Sequence, residues 1–153
     1  MNIIFLDIDG VVSTLRSHFA YETGKSLIQA WDPTCCKLVT NLCKFHYAKI
    51  VISSTWRFSE EITSFIKKYG FTEYMHKDWR TIRLRGELRG REIQEWINRH
   101  EGEISNYIIL DDDSDMLRHQ SPHFIQTNTD EGFGANDYIK CEKILKRRMT
   151  NDI

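Results

Sequence analysis

The segment Ile3-Ile4-Phe5-Leu6-Asp7-Ile8-Asp9-Gly10 decides the fold of this chain. Its four consecutive apolar residues predict a strand that is buried on both faces, which is typical of a parallel sheet. Because side chains alternate along a strand, Asp7 and Asp9 point the same way where the strand ends. Two such carboxylates repel each other unless a cation lies between them or one of them keeps its proton. The segment therefore predicts a buried strand that presents a pair of acids.

Two interpretations of this pair are open. In the first, the strand simply ends in an acidic turn and Gly10 stops it, which leaves the second aspartate unexplained. In the second, the pair is functional: a hard cation such as Mg²⁺ takes oxygen ligands from carboxylates. One carboxylate would then be a nucleophile and the other a proton donor and acceptor. We favour the functional interpretation.

The composition limits the class of protein. A chain of 153 residues is long enough for a hydrophobic core, and we expect a single domain over residues 1–153. With 41% hydrophobic and 28% charged residues, it resembles neither a disordered nor a membrane protein. The N-terminal apolar run is too short to span a membrane and lacks the basic flank of a signal peptide. The four cysteines have no metal-site or disulfide spacing, which favours reduced thiols in a cytoplasmic protein.

Further strands and helices alternate along the chain. Short apolar runs predict strands at 49–53, 107–111 and 124–127, in addition to the first strand at 3–7. Helical periodicity predicts helices at 33–45, 59–69, 90–100 and 137–148, with Asp32 as the N-cap of the first and Pro33 at its first position. This alternation predicts an α/β fold, a three-layer α/β/α Rossmann-like sandwich with a mainly parallel central sheet.

A parallel sheet brings the residues after its strands to one edge. Besides the Asp7–Asp9 pair, we expect three polar segments at this edge: Ser53-Ser54-Thr55-Trp56-Arg57, Asp111-Asp112-Asp113 and Thr127-Asn128-Thr129-Asp130. Carboxylates, hydroxyls and an arginine would then meet at one site. The sequence predicts the functional site at this edge.

These residue types suit phosphoryl transfer, which needs a nucleophile, charge neutralisation and a proton for the leaving group. Asp7 could attack phosphorus and Asp9 could protonate the leaving oxygen. Mg²⁺ would bridge Asp7, a phosphate oxygen and an acid of the 111–113 loop. Ser53 could donate to the phosphate oxygens, and an arginine at a helix N-terminus would add positive charge. Arg89 suits that position, with Arg91 as the alternative.

Four motifs in order resemble those of the haloacid dehalogenase (HAD) superfamily. Phe5-Leu6-Asp7-Ile8-Asp9-Gly10-Val11-Val12 is similar to its first motif, and Ile50-Val51-Ile52-Ser53 to its second. Ile108-Ile109-Leu110-Asp111-Asp112 is similar to its acidic fourth motif. Arg89-Gly90-Arg91-Glu92-Ile93 resembles the basic third motif, with arginine where lysine is more usual. The resemblance covers nearly the whole chain and is greatest to the small capless HAD domains associated with RNA-repair proteins.

The resemblance implies roles for individual residues. Asp7 would be the nucleophile and Asp9 the acid and base. A Mg²⁺ ion would be held by Asp7, the main-chain carbonyl of Asp9, and Asp112 or Asp111; the same loop also contains Asp113 and Asp115. Since both Asp7 and Asp9 are present, a phosphatase is favoured over a dehalogenase or a mutase.

The substrate is less constrained by the sequence. The segments 13–31 and 71–87 are long enough for a flap but not for a cap domain, and an open site suits large substrates. Residues 77–91 contain six basic and two acidic side chains, a local charge of +4 that favours polyanions. We expect Ser54, Arg57 and Arg91 to contact the substrate, and Trp56 and Trp79 could stack on a base.

Three functions follow, in order of preference. The first is a Mg²⁺-dependent phosphatase acting on a nucleic-acid terminus. The second uses the same chemistry on a nucleoside monophosphate, with segment 13–31 closing over it. The third is a non-catalytic phosphate-binding protein, which conflicts with the intact Asp7–Asp9 pair. We expect no membrane association and no obligate protein partner.

Overall fold

The computed structural model describes residues 1–21 and 31–146. Five parallel strands form one sheet in the order β3-β2-β1-β4-β5. Their bounds are Asn2–Leu6 (β1), Ala48–Ile52 (β2), Met75–Arg80 (β3), Asn106–Asp111 (β4) and Phe124–Gln126 (β5). The strand β1 lies in the centre, with Ile4 opposite Ile50 of β2 and Ile108 of β4.

Within the described residues, five α-helices join and cover these strands. They span Leu15–Tyr21 (α1), Pro33–His46 (α2), Ile62–Lys68 (α3), Arg89–Arg99 (α4) and Ala135–Leu145 (α5), with short 3₁₀ helices at Thr55–Phe58, Thr72–Tyr74 and Arg118–His123. Asp32 caps α2 as predicted, because its Oδ1 accepts the backbone N–H of Thr34 at 2.9 Å. Among the described residues, no helix combines the length and apolar character that a bilayer crossing requires.

The core lies on both faces of the sheet. Ile4 and Leu6 of β1 belong to a buried cluster that contains residues of α2, α3 and α5. Ile3 and Phe5 face the other way and pack with Ile93 and Trp96 of α4, with the Phe5 and Trp96 rings 5.4 Å apart edge to face. Alternate side chains of β1 thus pack against helices on opposite faces of the sheet. The predicted three-layer α/β/α sandwich is confirmed.

Some predicted elements differ from the structure. The sequence did not predict β3, an edge strand with polar and charged residues; with the 3₁₀ helix Thr72–Tyr74 and a loop, it occupies segment 71–87, where a flap was considered. The helix expected at 59–69 is shorter in the structure, where α3 spans Ile62–Lys68, because the backbone at Ser59 is extended. The last helix starts earlier than predicted, at Ala135. Positions 22–30 of the second possible flap, and 147–148 of the last predicted helix, lie outside the described residues.

Candidate active site

Hydrogen bonds align the ends of the central strands. The backbone N–H of Asp7 donates to Leu110 O at 2.9 Å, and that of Ser53 donates to Leu6 O at 3.1 Å. On the other side, the N–H of Thr127 donates to Asp111 O at 3.0 Å. The parallel ladder thus continues one residue beyond the strands. It carries the polar segments that follow β1, β2, β4 and β5 to one edge.

Three carboxylates meet at this edge. Oxygen atoms of Asp7, Asp111 and Asp112 all lie within 4.8 Å of one another. Asp7 is 6% exposed and Asp111 only 1%, whereas Asp112 is half-buried. Burial raises the pKa of Asp7 to about 6 and that of Asp111 to about 8, although the Arg89 guanidinium opposes both shifts. The cluster therefore favours a bound proton or a bound cation near neutral pH.

The acidic cluster fits a hard divalent cation. Oδ2 of Asp111 is buried and has no hydrogen-bond partner among the described residues. The donor set consists of carboxylate oxygens alone, which suits Mg²⁺. Thr129 orients the third carboxylate, because its hydroxyl donates to Oδ2 of Asp112 at 2.8 Å. Asp7, Asp111 and Asp112 could hold a magnesium ion.

Gly10 allows Asp112 to approach the loop after β1. Its φ of +76° lies in the left-handed region that favours glycine, and a Cβ atom there would collide with the Asp112 carboxylate. The hydroxyl of Thr127 fixes the same loop by donating to Gly10 O at 2.7 Å. The glycine of the first motif thus has a steric reason in this structure.

The Asp9 side chain lies outside the acidic cluster. It is exposed, and both carboxylate oxygens accept the indole Nε1–H of Trp56, at 3.1 and 3.2 Å. Partial burial raises the pKa of Asp9, and the Trp56 hydrogen bond opposes this rise. This contact was not predicted from the sequence, where we expected Trp56 to stack on a base.

Arg89 joins the cluster from the first residue of α4. Its Nη1 donates to Oδ1 of Asp7 at 3.0 Å and to Ser53 O at 2.7 Å, and its Nε lies 3.5 Å from Oδ2 of Asp111. Asp115 fixes the start of this helix, because its Oδ2 accepts the Arg89 N–H at 3.2 Å. The other candidate, Arg91, is exposed, and its Nε lies 3.6 Å from Glu87. Of the two arginines, Arg89 therefore contacts the acidic cluster, and Arg91 does not.

The two serines after β2 lie beside Asp7. Ser53 is fully buried, and its hydroxyl has no partner among the residues described. The hydroxyl of Ser54 hydrogen-bonds to Asp7 and lowers the pKa of that carboxyl, while its oxygen accepts the Trp56 N–H at 3.2 Å. Both serines were expected here on the sequence, Ser53 as a donor to phosphate and Ser54 as a substrate contact.

Arg57 has a different environment from the one expected. Its side chain is only 2% exposed, and burial lowers its pKa. Five hydrogen bonds occupy its guanidinium, to the carbonyls of Thr81, Ser53, Ser54 and Ile82 and to Oε2 of Glu92. We expected a substrate contact, but these bonds join the loop after β2 to the loop after β3. Glu92 was missed, since an acid in the first turn of a helix has no distinctive signal.

A comparison with known families gives one match. A model of the HAD domain in Swiss Army Knife RNA repair proteins matches residues 3–138. The matched range includes every candidate site residue described above. No curated protein and no solved structure matches the chain significantly.

Proposed function

The chain belongs to the family of HAD domains found in Swiss Army Knife RNA repair proteins, and on this basis we propose that it is a single-domain, Mg²⁺-dependent phosphomonoesterase acting on nucleic-acid termini. One observation carries the chemical part of the proposal. Asp7 lies in an acidic cluster with the buried Asp111 and the half-buried Asp112 and receives a hydrogen bond from Arg89. A nucleophile, oxygen ligands for a cation and a fixed positive charge are thus adjacent.

In the proposed reaction, a carboxylate oxygen of Asp7 attacks phosphorus. The bond from phosphorus to the leaving oxygen breaks as Asp9 gives that oxygen a proton, and an aspartyl-phosphate forms. Asp9 then takes a proton from a water molecule that attacks the same phosphorus. Inorganic phosphate leaves and the Asp7 carboxylate is restored. The exposed position of Asp9, outside the acidic cluster, suits a group that exchanges protons with substrate and water.

The remaining site residues would bind and orient the phosphate. Asp7, Asp111 and Asp112, with the main-chain carbonyl of Asp9, would hold Mg²⁺, which lets an anionic nucleophile approach an anionic phosphate. Arg89 supplies positive charge beside Asp7, where negative charge develops. The Ser53 hydroxyl, which has no described protein partner, is available as a donor to a phosphate oxygen.

A nucleic-acid terminus is the substrate that the surroundings support best. The family is named for RNA repair. Segment 71–87 forms a strand and a loop at the sheet edge and does not cover the site with a cap. An open site accepts the end of a large molecule, and the excess of arginine in residues 77–91 suits a phosphodiester backbone.

The experiment is phosphate release by the purified protein, with and without Mg²⁺. The substrates are 3′- and 5′-phosphorylated oligonucleotides and nucleoside monophosphates, and Asp7→Asn is the inactive control. We expect Mg²⁺-dependent release from one type of oligonucleotide end, falling as salt rises because backbone contacts are screened. Phosphate release from mononucleotides alone would indicate a nucleotide phosphatase, with the same mechanism but a different substrate. Release by the Asp7→Asn variant at the wild-type rate would contradict the mechanism.

A further inference from the structure

A groove lies beside the candidate site, at the C-terminal end of β3. We call it the β3 groove; it is lined by Phe58, Asp78, Arg80, Thr81, Ile82, Arg83 and Arg99. Its floor connects to the sheet, because the backbone N–H of Thr81 donates to Ile52 O, at the end of β2, at 3.2 Å. The groove thus begins where the strand preceding Ser53 ends.

Two positive charges in the β3 groove have no ion-pair partner among the described residues. Arg99 lies 3.2 Å from Asp78 and 3.9 Å from Glu95. Arg80 and Arg83 are exposed, and neither forms an ion pair with a carboxylate in the described part of the chain. Free guanidinium groups in a concave surface favour an anionic ligand.

The β3 groove also offers flat, partly exposed stacking surfaces. Phe58 is 47% exposed, and two guanidinium carbons lie close to its ring centre, that of Arg57 at 4.4 Å and that of Arg83 at 4.5 Å. The exposed Arg83 guanidinium, which packs on Phe58, is the plane that this part of the groove offers to a base. The guanidinium carbon of Arg80 lies 4.8 Å from the ring centre of Trp79, and Ile82 is 38% exposed. Aromatic rings and guanidinium planes are surfaces on which unpaired bases stack. Charge together with stacking surfaces favours a single-stranded polynucleotide over an acidic peptide.

Buried hydrogen bonds connect the β3 groove to the acidic cluster. Arg57 donates to Thr81 O at 2.8 Å on the groove side and to Ser53 O at 2.7 Å on the site side. The same Ser53 carbonyl accepts Nη1 of Arg89, which also contacts Asp7. The groove and the proposed nucleophile, Asp7, therefore belong to one hydrogen-bonded unit. A nucleic-acid strand bound in the groove would have a fixed position relative to Asp7.

We propose that the β3 groove binds single-stranded nucleic acid and holds the nucleotides next to the terminal phosphate. Arg80 and Arg83 would contact the backbone, and the guanidinium plane of Arg83, which packs on Phe58, would lie beneath a base. This inference rests on the proposed function, since it assumes that the terminal phosphate lies at Asp7. It names a part of the surface that recognises the strand and not the phosphate alone.

The first test measures binding to a fluorescent single-stranded oligonucleotide by anisotropy, with RNA and DNA of the same sequence in separate arms. The test variant is Arg80→Ala/Arg83→Ala. The matched control is Lys44→Ala/Lys143→Ala, which removes two exposed positive charges, one from α2 and one from α5. We expect the two arginine substitutions to weaken binding about tenfold or more. The negative slope of log affinity against log salt should become less steep by about 1.4, as for two lost phosphate contacts. An equal loss of oligonucleotide affinity in the arginine and lysine variants would overturn the proposal. Displacement of the labelled oligonucleotide by polyglutamate as readily as by unlabelled oligonucleotide would overturn it too.

The second test separates this inference from the proposed function. An aryl phosphate has no strand to fill the β3 groove, so the arginine variant should keep its aryl phosphatase activity and lose activity on phosphorylated oligonucleotides. An equal loss of activity on both substrates would overturn the proposed role of the groove without contradicting the proposed phosphatase activity. If the wild-type protein released no phosphate from either substrate but the binding difference remained, the proposed function would fail, and of this inference only the binding of single strands in the groove would stand.

Discussion

The indole Nε1 of Trp56 lies 3.1 and 3.2 Å from the two carboxylate oxygens of Asp9. This contact joins the 3₁₀ helix after β2 to the loop after β1. Because an N–H donor stabilises a carboxylate more than a carboxylic acid, the contact lowers the pKa of Asp9 against the effect of burial. It also fixes the orientation of the proposed acid and base.

Replacing Trp56 by phenylalanine should alter the pH dependence of turnover. The ring can still pack against Trp31 and Phe65, but the donor to Asp9 is lost and the pKa of Asp9 rises. The acidic limb of the kcat profile should move to higher pH, and kcat should fall about tenfold, since acid–base catalysis contributes factors of that order or more. The measurement is kcat against pH. A wild-type profile, or the same shift in Trp79→Phe, would contradict this role.

The stability of the metal-free protein should fall as pH rises from about 4 to about 8. Unfolded aspartate has a pKa of about 3.9. In the folded state, burial raises the pKa of Asp7 to about 6 and of Asp111 to about 8, so the folded protein binds more protons in this range. The stabilisation is complete below the unfolded pKa and is lost as pH rises through the folded values. Denaturant unfolding at several pH values without metal measures this.

Mg²⁺ should reverse this trend, because it binds the deprotonated carboxylates. The rise in Tm on adding Mg²⁺ should be larger at pH 8 than at pH 5. In the Asp111→Asn variant, the metal-free stability should depend less on pH and the Mg²⁺ effect should shrink. A Mg²⁺ effect that is the same at both pH values would contradict the acidic cluster as the metal site.

Glu92→Ala should destabilise the fold by about 3 kcal/mol, since it leaves a buried charge unpaired. Glu92 accepts from Arg57 at 2.8 Å and from the Leu84 N–H at 2.9 Å, and both contacts fix the loop after β3. Glu95, on the same helix, has a side chain that is 42% exposed, so Glu95→Ala should change stability by about 0.5 kcal/mol or less. Urea unfolding compares the two. Similar losses would show that the Arg57–Glu92 pair has no special role.

Gly90→Ala should lower both stability and activity. A Cβ at this position would lie 2.5 Å from Leu117 N and 2.9 Å from Met116 Cα, which are backbone atoms that cannot rotate away. We expect a cost of about 2 kcal/mol and a lower kcat, because the adjacent Arg89 must shift. Gly102→Ala is the control, since its Cβ would meet no atom within 4 Å. Thermal unfolding and phosphate release measure both effects, and equal behaviour of the two variants would contradict close packing at Gly90.

Much of the fold could be predicted because continuous apolar runs specify buried central strands. The runs at β1, β2 and β4 are of this kind, and each continues into a polar segment of the site. The strand β3 was missed because an edge strand needs fewer apolar residues; its six residues include Lys77, Asp78 and Arg80.

The site was predictable where a motif is local and less so where distant residues meet. Asp7, Asp9 and Asp112 follow strands and Asp111 ends β4, so the sheet itself brings them to one edge. The burial of Arg57 depends on Glu92, 35 positions later, and on loops after two different strands. Sequence periodicity contains no information about such a pairing. The orientation of Asp9 by Trp56 and of Asp112 by Thr129 was hidden for the same reason.

The most direct test of the account is to trap the phosphorylated enzyme with an aryl phosphate that has a good leaving group. Such a substrate needs little protonation in the first step, whereas hydrolysis of the intermediate needs Asp9 as a base. With Asp9→Asn and Mg²⁺, the account predicts that mass spectrometry finds one phosphoryl group on Asp7, and none on the Asp7→Asn/Asp9→Asn protein. A phosphoryl group on another residue, or wild-type phosphate release that persists in Asp7→Asn, would contradict Asp7 as the nucleophile.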